Sequence, residues 1–131
     1  MRRALHLLAA TVALPALTAA CGGSSTPSGG AKVTKAPGGV QQLNIDTTDD
    51  FRFVPADFHA HVGKLRIVLT SHGSYPHNLS FPGLHTTSKT VSGNPGQQTA
   101  TIVVTLAHGG SYDFVCTFHS SAGMKGHITV S

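Results

Sequence analysis

The 131 residues include no glutamate, and charged residues make up only 11% of the chain. Past residue 40 the straight-chain residues that favour helices are sparse, which argues against a helical protein. Two cysteines are too few for a disulfide framework. The formal charge of +4 also means less than it suggests. Arg2, Arg3, Lys32 and Lys35 all lie in the first forty residues. Beyond them Arg52, Lys64, Arg66, Lys89 and Lys125 are balanced by Asp46, Asp49, Asp50, Asp57 and Asp113. A nucleic-acid surface requires lysine and arginine clustered on the folded part. That cluster is missing, so no nucleic-acid partner is expected.

Long apolar stretches are missing too, except at the start. Met1-Arg2-Arg3 precedes an apolar run from Ala4 to Ala20 that contains Pro15. It is at the short limit for a membrane-spanning helix and has the charge-then-apolar layout of a secretory signal. The run ends Leu17-Thr18-Ala19-Ala20-Cys21, which resembles the lipobox of bacterial lipoproteins, with Leu17 one place early and Thr18 where leucine is usual. The resemblance implies a signal peptide over residues 1–20 and a lipid on Cys21. The Gly/Ser/Pro-rich stretch after it cannot bury a core. It reads as a flexible linker over 21–42, with a mean reach of about 25 Å for about 20 residues. The chain is then expected outside the cytoplasmic membrane, anchored on its outer face at the cell envelope or periplasmic side.

From residue 43 to residue 131 the texture is that of strands. In Lys64–Thr70 the apolar Leu65, Ile67 and Leu69 alternate with Arg66, Val68 and Thr70. Gln98–Leu106 is rich in Thr, Ile and Val, Tyr112–Thr117 places Tyr112, Phe114 and Cys116 on one face, and Gly126–Val130 follows. Shorter candidates are Leu43–Asp46, Asp57–His61, Asn78–Phe81 and Lys89–Val91, separated by glycine- and proline-containing turns. This pattern predicts one all-β domain of seven or eight short strands, an antiparallel sandwich or barrel.

The chemistry concentrates in Cys116-Thr-Phe-His119-Ser-Ser-Ala-Gly-Met124. Cys116 is the one cysteine besides Cys21, and Met124 is the one methionine besides the initiator. A thiolate, an imidazole and a thioether on one inter-strand loop suit copper, and the soft sulfurs suit Cu(I). Zinc does not normally use methionine, and magnesium or calcium wants carboxylates. Both spacings arise by accident about once in 1,500 trials when residues are counted against position. A trigonal blue-copper site needs a second imidazole. His77, followed by Asn78, stands out because it opens a strand candidate after the Gly73–Pro76 turn. His59, His61, His72, His85, His108 and His127 read as surface or strand-edge residues, although His59 and His61 alternate onto one face.

Taken together, His77-Asn78 and Gly110-Ser-Tyr112-Asp-Phe114-Val-Cys116-Thr-Phe-His119 through Met124 resemble a cupredoxin of the plastocyanin type. Phe53-Val-Pro55 and Val62-Gly63-Lys64 fit the same family. The resemblance implies a Greek-key β-sandwich and one type 1 copper ion held by His77, Cys116, His119 and Met124. It gives Asn78 the task of tying the two ligand loops together and supporting the sulfur through hydrogen bonding. Tyr112 takes the place of a tyrosine corner. Phe118 stands where plastocyanins tend to have proline, and with Pro76 it is expected to form an apolar docking patch around His119.

The implied role is single-electron transport between redox partner proteins of a respiratory or envelope chain, by a monomer that is not an enzyme. The alternative is an envelope copper carrier or buffer that delivers copper to an oxidase.

Overall fold

The computed structural model describes residues 33–36, 38–93, 96 and 98–131. The expected signal peptide, Cys21 and most of the expected linker lie outside the described residues. Among the described residues no helix is long and apolar enough to cross a membrane.

Among the described residues ten strands form two five-stranded sheets. They are β1 (Thr34–Lys35), β2 (Gln41–Thr48), β3 (Arg52–Val54), β4 (Asp57–Ala60), β5 (Gly63–Ser71), β6 (Ser80–Phe81), β7 (Thr86–Thr87), β8 (Gln98–Leu106), β9 (Gly110–Val115) and β10 (Lys125–Val130). One sheet runs β1-β2-β5-β8 with β3 on β2, and the other runs β4-β10-β9-β6-β7. Two single 3-10 turns, Pro82–Leu84 and Ser120–Ala122, are the helical content among the described residues.

The strand periodicity accounts for the sandwich. Leu43, Ile45 and Thr47 of β2, Leu65, Ile67 and Leu69 of β5, and Ala100, Ile102, Val104 and Leu106 of β8 are buried while their neighbours along the strand mostly face outward. Opposite them lie Phe58, Ala60, Phe114, Ile128 and Val130. Phe114 is the hub, fully buried, with the rings of Phe53, Phe81 and Phe58 at 5.2, 5.6 and 6.0 Å. Tyr112 makes the expected corner. Its hydroxyl donates to the His108 carbonyl at 3.1 Å and accepts from the His108 N–H at 3.2 Å.

Three sequence expectations are corrected. The sheets are not antiparallel throughout: β2 pairs with β5 and β4 pairs with β10 in parallel. A parallel pair needs a long crossover, and residues 49–62 supply one, turning back on β2 as β3 before crossing to the second sheet as β4. Lys89–Val91 is not a strand. Only Val91 finds a partner, exchanging both backbone hydrogen bonds with His77 at 2.8 Å. Strand pairing also starts ahead of residue 43, with Thr34 and Lys35 paired to Gln42 and Gln41.

Candidate metal centre

Topology brings two distant segments to one end of the sandwich. Cys116 directly follows β9 and Met124 directly precedes β10, and these strands pair antiparallel with Val115 opposite Lys125. The loop between them is therefore closed by its own sheet. Cys116 N–H donates to the Met124 carbonyl at 3.0 Å, and Met124 N–H donates to the His119 carbonyl at 3.1 Å. Cys116 and Met124 are both fully buried. Ser80 of β6 pairs with Val115 of β9, which carries the segment just before β6, with His77 and Asn78, alongside the same loop.

The donor atoms converge. Cys116 Sγ lies 3.7 Å from His119 Nδ1 and 4.0 Å from His77 Nδ1. Among the described residues, His77, Cys116 and His119 form the one group of three or more whose nitrogen, sulfur or carboxylate donors all approach within 4.8 Å. Thiolate and imidazole bonds to a first-row ion are about 2.3 and 2.0–2.1 Å long. Opened to a trigonal plane, they set sulfur and nitrogen about 3.8 Å apart, which matches both separations. The expected histidine surplus stays apart. His59, His61, His72, His85, His108 and His127 are exposed, with His72 against Asp46 at 3.1 Å and His127 against Asp57 at 2.8 Å.

The two imidazoles have different surroundings. His77 has no solvent exposure, and its Nε2 has no hydrogen-bond partner. Burial pushes its pKa below the ordinary imidazole value, the neighbouring His119 lowers it further, and Asp49 opposes both. A neutral ring is the form that offers a lone pair to a metal. His119 is half-buried, on the surface side of the cluster.

Asn78 links the loops through Thr117. Its Nδ2 donates to the Thr117 hydroxyl at 2.8 Å, and its Oδ1 accepts the Thr117 N–H at 2.9 Å. Both bonds end on Thr117, the residue beside Cys116, so the structure shows the tie between the loops but no hydrogen bond from Asn78 to the sulfur. Phe118 is 49% exposed and its ring lies 6.3 Å from His119.

Sequence reading missed Phe51. Its ring stacks on His119 with centroids 4.2 Å apart and planes 19° apart, and Tyr75 meets the same imidazole edge-on at 6.2 Å. Neither aromatic belongs to a ligand spacing, and Phe51 is distant from His119 in sequence. The only signal was an aromatic residue at a strand boundary.

Two sulfurs and two imidazoles at the closed end of a two-sheet sandwich define the class of a cupredoxin. The chain belongs to that family: the cupredoxin-like domain model matches residues 11–130. Plastocyanin from Rumex obtusifolius is 34% identical over 89 residues, covering 60% of this chain and 86% of that protein. Plastocyanin from Mercurialis perennis is 33% identical over 93 residues, covering 63% and 90%. Among solved structures, reduced auracyanin from the photosynthetic bacterium Roseiflexus castenholzii matches with a TM-score of 0.59 at 15% identity, covering 76% of this chain and 99% of that one. A mutant fern plastocyanin matches with a TM-score of 0.51 at 23% identity, covering 68% and 100%. The structural likenesses are likenesses of fold. The cofactor of this site is one copper ion, in agreement with the donor set.

Proposed function

We propose that the chain carries single electrons between redox partner proteins, with copper held by His77, Cys116 and His119 and by the axial thioether of Met124. The observation that carries this reading is the convergence of two Nδ1 atoms on the Cys116 sulfur at 3.7 and 4.0 Å. Copper bound there supplies a one-electron couple between Cu(I) and Cu(II). The protein supplies rigidity. Backbone bonds from Cys116 to Met124 and from Met124 to His119 fix the loop, and burial fixes His77. Donors that cannot rearrange suit both oxidation states, which favours fast transfer over substrate chemistry and supports a carrier rather than an enzyme.

The electron path to a partner runs through His119, the half-buried donor. Around it Phe118 and Tyr75 are 49% and 51% exposed, and Pro76 is exposed. These aromatic and apolar side chains suit brief docking. The N-terminal signal and Cys21 support an envelope location, with the protein lipid-anchored on the outer face of the membrane and acting as a monomer.

Voltammetry of the copper-loaded chain, with self-exchange measured by NMR line broadening, tests the role. A reversible one-electron wave and rapid self-exchange that slows in Phe118→Ala are expected. Loss of Cu(I) to a competing chelator on each reduction would contradict electron transport and assign the chain to copper delivery.

A further inference from the structure

The two imidazoles face unequal risks. His77 is enclosed on every side, whereas the ring of His119 is half-buried and makes no hydrogen bond among the described residues beyond the Nδ1 approach to sulfur. Something else has to fix its plane. Among the described residues Phe51 is the one ring stacked on it face to face, at 4.2 Å and 19°, and it also touches Tyr75 at 5.4 Å and approaches His77 edge-on at 6.4 Å.

The backbone that presents Phe51 is an unusual choice. Thr48 and Arg52 are paired across the β2-β3 hairpin, leaving the three-residue loop Asp49–Phe51, and Phe51 N–H donates to the Thr48 carbonyl at 3.3 Å. Hairpins of this length place a left-handed residue at the third position, usually glycine. Here that residue is Phe51, with φ +59°. A bulky side chain in this region is strained and persists only where its surroundings hold it.

The same turn grips the other ligand loop. The Asp49 carboxylate accepts the N–H groups of Ser74 and Tyr75 at 2.8 and 3.2 Å, two residues ahead of His77. A Cβ on Gly73 would fall inside the Asp49 side chain, so the two loops are as close as backbone allows. The Thr48 hydroxyl donates to the Asp50 carboxylate, and His72 N–H donates to the Thr47 carbonyl at 2.9 Å.

We propose that the Asp49–Phe51 turn is an outer clamp on the metal centre. In it Phe51 is a positioning residue that holds the His119 imidazole in its metal-facing orientation, while Asp49 anchors the turn to the His77 loop. The inference rests on the reading of His119 as a ligand. It differs from the Asn78 tie, which joins the two ligand loops to each other from inside.

The test compares Phe51→Leu, Phe51→Tyr and Phe51→Gly in the full chain. Ring motion of His119 is read by NMR relaxation in the apoprotein, and copper geometry by EPR after loading. Leucine keeps the strain and much of the volume but has no flat face. It is expected to raise the population of misoriented His119 rings roughly 3- to 10-fold, the scale of one lost aromatic pair, and to broaden the copper hyperfine lines. Tyrosine is expected to restore both readouts. Glycine relieves the strain, so its hairpin persists while the imidazole is freed. Wild-type ring order in Phe51→Leu and Phe51→Gly, or equal behaviour of Phe51→Leu and Phe51→Tyr, would overturn the clamp and leave Phe51 as ordinary packing. If the wild type itself gave no thiolate-to-copper band, the electron-carrier reading would fall, while the apoprotein measurement would still judge the clamp.

Discussion

Cys116 and Met124 show how much chemistry one short loop can announce. A cysteine, a histidine three residues on and a methionine five further are legible in the sequence because the spacing belongs to one inter-strand connection. The structure buries both sulfurs completely and closes the loop with backbone bonds. Phe51 was not legible, because its role depends on a left-handed turn whose usual occupant is glycine. The axial role proposed for Met124 is separable at this scale. A long axial thioether adjusts the potential more than it determines the thiolate bond. Met124→Leu is therefore expected to retain the blue colour while shifting the midpoint potential, as visible spectroscopy and voltammetry on the same sample will show. Loss of the colour would contradict an axial role.

Elements place these residues, and their arrangement is less legible in the sequence. The alternation in Lys64–Thr70 gave β5 with its inward face, since period-2 burial is a local signal, and the Thr, Ile and Val content of Gln98–Leu106 gave β8. The parallel pairings of β2 with β5 and β4 with β10 carry no local signature, because strand order is decided by which faces the crossovers can cover. Lys89–Val91 looked like a strand and reduces to one bridge at Val91. Loop-to-loop ties belong to this scale. Asn78→Ala removes both bonds to Thr117 and leaves a partly buried backbone N–H without its partner, so apoprotein stability should fall by about 1–3 kcal/mol in denaturant melts. Asp49 governs an acid-side effect. The Ser74 and Tyr75 N–H groups favour its ionised form and hold its pKa below the ordinary 3.8. Its contribution is present above that value and is lost as pH falls through the lower, folded-state pKa. Asp49→Asn should therefore flatten this part of the stability–pH curve below about pH 4, and an unchanged slope would show that the carboxylate is not ionised against those donors.

At the scale of the whole molecule, two sheets share one apolar interior and leave the donors at its end. Phe114 connects Phe53, Phe58 and Phe81 across that interior and lies two residues before Cys116 in the chain. Phe114→Ala is expected to cost about 3–5 kcal/mol, a large share of the roughly 5–15 kcal/mol that holds a domain of this kind together. Its apoprotein melting temperature should drop steeply, and copper should partly restore it by binding only the folded state. Whether the His77, Cys116, His119 and Met124 cluster is a type 1 copper site is decided by adding Cu(II) to the reduced apoprotein and recording the visible and EPR spectra beside those of Cys116→Ser. An intense blue thiolate-to-copper band with narrow parallel hyperfine splitting is expected in the wild type and neither feature in the variant. A pale spectrum indifferent to Cys116 would contradict a type 1 site.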